Sequence, residues 1–438
     1  MKSIFSLLLS ILFLWVYHYA QAEKANKKEK IDKRLEYRDL CYENTFRTVL
    51  LYPLLEMDNV LYRQLLSPII NLNEPTPLFL EFDNLGDTYE SFRVKVYHCN
   101  ADWTPSVLNE VEFLTEYNDF PIQDYKLSYT TKIPYIHYSF ELPKTRISGN
   151  FLVVVYRDNN PKDFVISKRF MVAENRINIQ ATVNYSNGIE ERRTHQQVDF
   201  ELLYGNLPIR NPQEDFKIII RQNQRWDITK TNFKVFNVND FEKKITYNFI
   251  NLENNFWAGN EFRFFDTRSL RTKMVKIDRI FYDPDQTKVQ LFYDKPQFDK
   301  SYLETEDFDG NEIIDHYESH NGATEADYVA VRFLLVTEEK KELDIYVNGK
   351  FANWELTNAN KMEYVPEMGA YRLITDLKQG IYNYNYSTKN KITGQINERI
   401  LDGSHAQTTN NYEIFIYFRQ PAGRADLLVG YKKLQNPR

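Results

Sequence analysis

The sequence predicts an all-β protein built from tandem immunoglobulin-like or early-set antiparallel β-sandwich domains that follow a signal peptide. Three observations predict it. Aromatic residues make up 15% of the chain, with 31 Tyr and 30 Phe against only 14 Gly, and large flat side chains of this kind pack well on pleated sheets. Apolar and polar residues alternate with a period of two in segment after segment, and clusters of Asn, Asp, Gly and Pro separate those segments as turns. Helical periodicity is scarce, and the βαβ alternation of a doubly wound fold is not visible.

The amino terminus reads Met1-Lys2-Ser3, an apolar run from Ile4 to Tyr17, then Ala20-Gln21-Ala22, which is the pattern of a signal peptide spanning 1–22. Its apolar run is shorter than the roughly 20 residues a bilayer span needs, and the polar stretch Glu23 to Lys33 follows at once. Cleavage is therefore expected rather than anchoring. The first cysteine, Cys41, lies too far on for lipid attachment. No later window approaches a membrane span, so an exported, water-soluble chain is expected.

A chain of 438 residues exceeds what one core supports, and three domains fit: 23–173, 174–323 and 324–438. In the first, Phe92, Val94 and Val96 alternate with Arg93 and Lys95, and a strand from Phe164 to Val172 closes the unit. A short connecting helix is predicted after Asp102-Trp103-Thr104-Pro105, where Leu108, Val111 and Leu114 recur at three-residue spacing. Turns are expected at Asn84-Leu85-Gly86-Asp87, Asp158-Asn159-Asn160-Pro161, Asn211-Pro212 and Asp283-Pro284-Asp285. The acidic stretch from Glu304 to Thr324 reads as a loop leading into the last domain. There Val329, Val331, Phe333 and Leu335 alternate, as do Leu343, Ile345 and Val347. Ile414, Ile416 and Phe418, set against Glu413 and Arg419, predict a half-buried strand.

Cys41 and Cys99 are the only cysteines. Export places them in an oxidising compartment, and two outcomes stay open: a bridge, if their Cα atoms come within about 7 Å, or two buried thiols.

A net charge of −6, with no basic block beyond Lys24 to Lys33, argues against a nucleic-acid partner. The chain has no G-x-S-x-G elbow, H-E-x-x-H, phosphate-binding glycine loop or C-x-x-C, so no catalytic, cofactor-binding or metal residue is assigned and a non-enzymatic role is expected. His316 and His320, with Asp315 and Glu318 nearby, have the spacing of two ligands on one helical face, but the stretch lacks helical periodicity and reads as a connector. The run Glu304, Glu306, Asp307, Asp309-Gly310-Asn311-Glu312 offers oxygens around a turn; its spacing is not that of an EF-hand, and an exposed acidic loop is expected.

Asn348-Gly349-Lys350-Phe351-Ala352-Asn353-Trp354, followed by Gly380-Ile381-Tyr382-Asn383-Tyr384-Asn385-Tyr386, resembles the early-set immunoglobulin-like modules that include glycogen-binding domains. This supports the architecture. It also raises an alternative function, a periplasmic carbohydrate-binding accessory protein that stacks sugars on Trp354, Tyr382, Tyr384 and Tyr386. Core filling is the other reading of the same aromatics.

Longer motifs carry a broader resemblance. His98-Cys99-Asn100-Ala101-Asp102-Trp103-Thr104-Pro105-Ser106, Ile122-Gln123-Asp124-Tyr125, Pro134-Tyr135-Ile136-His137-Tyr138, Ile147-Ser148-Gly149-Asn150-Phe151 and Arg169-Phe170-Met171-Val172 follow one another in the first domain. Gln197-Val198-Asp199-Phe200, Ile209-Arg210-Asn211-Pro212, Gln222-Asn223-Gln224-Arg225-Trp226-Asp227 and the segment Phe256 to Asp266 continue the series. Together they resemble the type IX secretion system plug protein family over nearly the whole chain after the signal peptide. Asn100 departs from the pattern, standing where the family form has an acidic residue. The resemblance implies a periplasmic protein of Bacteroidota that binds the giant outer-membrane β-barrel translocon on its periplasmic face and seals the pore while no substrate or partner subunit occupies it. It implies no binding residue, because the shared motifs read as turns and aromatic packing.

Overall fold

The computed structural model describes residues 33–420 and 422–436; the expected signal peptide, 1–22, lies outside them. Six sheets, paired face to face, build three sandwiches. No helix among the described residues is long and apolar enough to cross a membrane.

The first sandwich sets the strands Phe92–Cys99, Gly149–Arg157 and Phe164–Ala173 against Phe46–Pro53, Leu78–Leu85 and Tyr135–Glu141. Its core is aromatic: Phe82 stacks on Tyr138 and Phe151 on Phe170. The alternation of Phe92, Val94 and Val96 with Arg93 and Lys95 survives as buried and half-buried residues. Gly149–Arg157 is instead buried along nearly its whole length. Phe151, Val153 and Val155 face the core, while Leu152, Val154 and Tyr156 are covered by Leu35, Tyr37 and Tyr42. The predicted connecting helix exists as one turn, Glu110–Phe113, closed by a capping box between Asn109 and Glu112.

Cys41 and Cys99 are both free thiols. They lie in one sheet, but the strands Phe164–Ala173 and Gly149–Arg157 run between their own. Three strand spacings of about 4.8 Å separate them, twice the reach of a disulfide.

The middle sandwich departs from the division expected. One sheet holds Asn178–Tyr185, His195–Leu203, Lys244–Asn248 and Lys234–Asn239. The other is ordered Thr229–Lys230, Phe216–Gln222, Asn411–Phe418, Leu427–Gln435. The last two strands of the chain thus complete the middle unit, Phe216 pairing with Phe418 and Gln222 with Tyr412. Between them the third sandwich is inserted, from Arg263–Asp266 to Ile396–Asn397. A boundary at 323/324 would cut through it, because Glu312–Ile314 pairs with Gly380–Asn390 and Thr287–Leu291 with Tyr328–Val336. Period-two alternation tells which side chains face inward and carries nothing about which strand lies alongside.

Asn411–Phe418 also differs from the half-buried strand expected. Seven of its eight residues are buried: Ile414, Ile416 and Phe418 face the middle core, while Phe415 and Tyr417 pack on Met171 and Ala173 of the first sandwich.

Candidate functional site

The motif residues converge where the sandwiches meet. Asn100 to Thr104 form a tight turn, with Asn100 N–H donating to the Thr104 carbonyl at 2.8 Å and Trp103 N–H to the Asn100 carbonyl at 3.0 Å. This turn holds Trp103 at φ +64°, a left-handed conformation that costs a bulky residue of order 1 kcal/mol. Its indole reaches across the boundary, edge-on to Trp226 of the middle sandwich. The Arg169 guanidinium lies 5.3 and 5.4 Å from the two indole rings.

Beneath them Arg221 and Glu413, 2% and 1% exposed, pair at 2.7 Å. Ser67 of the first sandwich and Tyr431 donate their hydroxyls to the same carboxylate at 2.6 and 2.8 Å. Burial would raise the Glu413 carboxyl, but Arg221 and these donors hold it below its ordinary range.

A second junction joins the first and third sandwiches. Asp83, fully buried, accepts from Lys378 Nζ at 2.6 Å, Tyr328 OH at 2.7 Å and His137 Nδ1 at 2.8 Å. Burial opposes its charge, yet Lys378 and His137 keep its pKa lowered. His137 is raised against its own burial by Asp83 and Glu81. At a third junction, Arg225 of the middle sandwich donates twice to Glu398, at 2.6 and 2.8 Å, and stacks 3.9 Å from the Trp354 ring. Lys378–Asp83 is buried and Arg225–Glu398 part-buried, and each crosses from one sandwich to another; such a pair fixes relative orientation because breaking it strands a charge.

The sugar-binding alternative fails on this geometry. Tyr382, Tyr384 and Tyr386 are 2%, 0% and 0% exposed; the last two donate to Asp294 at 2.7 and 2.8 Å. Trp354 lies between Arg225, Phe262 and Gly310. A Cβ on Gly310, which also sits at φ +82°, would come within 2.5 Å of the indole. These aromatics are core and joint.

The histidine and acidic segments are likewise tied into the fold. His316 Nδ1 meets Ser319 Oγ at 2.8 Å, and His320 lies 3.6 Å from Asp315. Asp307 and Asp309, expected in an exposed loop, are instead tucked against the segment entering the third sandwich. Asp307 accepts the Phe262 and Asp309 N–H groups, and Asp309 accepts from the Asn411 amide. Burial, with Asp309 and Glu261 nearby, pushes Asp307 up to about 8; burial and Glu261 push Asp309 up to about 6. Among the described residues no group of three or more His, Cys, Asp or Glu is placed to hold a metal ion.

A cavity of about 620 Å³ between the middle and third sandwiches is lined by Glu261 and Asp402, both raised by burial. Asp402 is fully engaged, by Arg263 at 2.5 Å and by the Tyr386 N–H at 3.1 Å. Glu261 holds Tyr302 OH at 2.5 Å and the Thr409 N–H at 3.0 Å. The carboxylates brace the joint.

Residues 47–174, the first sandwich with its Asn100–Thr104 turn, match the family model described as the type 9 secretion system plug protein first domain. The chain carries a plug-family first domain. The likeness to solved structures reaches further: a hypothetical protein from Parabacteroides merdae, known from a crystal structure at 2.30 Å, is 29% identical with a TM-score of 0.85, over 92% of this chain and all of that one. The three-sandwich arrangement is therefore shared beyond the plug-family first domain. No curated protein matches. Sequence reasoning found these motifs but not that they meet; the Trp and Arg residues within otherwise turn-like segments were the available signal.

Proposed function

We propose that this chain is a non-enzymatic plug subunit of the type IX secretion system, binding the periplasmic face of the outer-membrane β-barrel translocon and sealing its pore while no substrate or partner subunit is present. The match of residues 47–174 to the plug first domain carries the reading. Its physical support is the pair of ionic joints between sandwiches, Lys378 with Asp83 and Arg225 with Glu398, together with the Ser67 hydroxyl on Glu413, which hold the sandwiches as one stiff body. Obstruction of a wide lumen asks for shape and stiffness rather than chemistry.

Affinity purification of the tagged chain from its native envelope tests this. A very large outer-membrane barrel should be recovered with it in stoichiometric amount. Recovery of soluble periplasmic proteins alone would refute the assignment.

A further inference from the structure

The sheet that closes the middle sandwich has a gap in its edge. Phe216–Gln222 is paired along its whole length with Asn411–Phe418 on one side. On the other, the two-residue strand Thr229–Lys230 covers only Ile220 and Arg221. Backbone groups alternate sides along a strand. The Gln222 N–H turns to the short strand, donating to the Ile228 carbonyl at 3.2 Å, whereas Asn223 N–H donates to Asn411 across the sheet. By that alternation the amides and carbonyls of Phe216 and Ile218 point to the side where no strand lies among the described residues.

A cavity of about 600 Å³ occupies this side, bounded by Phe216, Ile218, Phe233 and Tyr247 and, around the sheet edge, by Trp103 and Arg169. Three polar atoms of those lining side chains are buried without a partner: Trp103 Nε1, Arg169 Nε and Tyr247 OH. The first two can only donate. A buried donor left unmade costs about 1–3 kcal/mol, but these three atoms have almost no surface open to the cavity, so the hydrogen-bonding groups offered to a ligand are those of the open strand edge.

We propose that this gap is a binding site for an extended peptide segment, which would add a strand beside Phe216 and Ile218 and set apolar side chains against Phe233 and Tyr247. Strand addition suits these features because main-chain pairing supplies affinity and alternate pockets supply selectivity. A compact ligand would leave the two backbone units unmet. The site stands independently of the plug reading, since it rests on the middle sandwich and its boundary alone.

The test uses the full chain and a blocked peptide, acetyl-Thr-Val-Ile-Val-Thr-amide, at millimolar concentration. Amide hydrogen exchange at Phe216 and Ile218 should slow at least tenfold, and the fluorescence of Trp103 and Trp226 should shift with the same midpoint. Thr231→Trp, which fills the mouth of the cavity from a lining position, should abolish both while leaving the far-ultraviolet spectrum unchanged. Should benzoate shift the fluorescence while the peptide leaves both amides unprotected, the cavity is a small-anion pocket and the proposal falls. It falls equally if the peptide changes neither signal, or if Phe216 and Ile218 are already as protected as the paired Ile219.

Discussion

Trp103 and Trp226 meet edge to face across the boundary of the first and middle sandwiches, their ring centroids 5.0 Å apart and their planes at 82°. The pair is reinforced on both flanks, since Arg169 lies over both rings and Arg221 lies 4.5 Å from Trp226. A turn near the amino terminus and a turn some 120 residues later are thereby made into one joint.

Replacing Trp226 with Ala is expected to cost about 3 kcal/mol, the low end for a large aromatic because the ring is only half-buried. In a double-mutant cycle with Trp103→Ala the two losses should fall short of additivity by about 1 kcal/mol. Urea denaturation of the four proteins measures this. Strict additivity would show that the rings do not support each other.

Lys378→Met removes the cation facing Asp83 and leaves a fully buried carboxylate with only His137 and Tyr328. A loss of about 3–5 kcal/mol is expected. Adding Asp83→Asn should restore at least half of it, because the stranded charge, not the missing attraction, dominates the cost. A double variant less stable than Lys378→Met would contradict this account.

Asp307 holds its proton to about pH 8 in the folded chain, whereas an unfolded aspartate loses it near pH 4. Between those values the folded state binds more protons than the unfolded one, so this carboxyl's contribution is complete below pH 4 and is lost as pH rises to 8. Asp307→Asn stays neutral throughout. Whatever fixed cost the lost acceptor imposes, the variant should gain on the wild type between pH 4 and pH 8.5. Parallel stability curves over that range would mean the carboxyl ionises normally.

Truncation after residue 408 removes Asn411–Phe418 and Leu427–Gln435, half of one sheet of the middle sandwich. The product should lose the cooperative unfolding of that unit and expose apolar surface. A fragment of residues 174–323 should fail to fold for the same reason. Protease-resistant, monomeric material from either would refute the pairing described above.

Much of the architecture was legible because half-covered sheets write their faces into the chain: Phe92–Cys99 alternates in burial as its letters do. Legibility failed where a sheet is covered on both faces. Glu413 reads as an outward residue of Asn411–Phe418, but its charge is met inside by Arg221, nearly 200 positions away. The insertion was hidden for a related reason, since nothing local to Ile414 names Ile220 as its neighbour. Tyr382, Tyr384 and Tyr386 are ambiguous in composition alone, and only the position of Asp294 under two of their hydroxyls makes them interior. The junctions depend on pairs distant in sequence, such as Asp83 with Lys378, and no window short enough to scan contains both members.

The insertion also orders events in time. When synthesis has passed Asn255–Trp257, the middle sandwich still lacks its two closing strands, and roughly 150 further residues must emerge before they arrive, about 8–30 s at ordinary elongation rates. The third sandwich has every strand it needs in that interval and can mature first. Phe216–Gln222 meanwhile waits with one edge bare and the other covered only at Ile220 and Arg221, so the nascent chain is most exposed to wrong partners at its own midpoint.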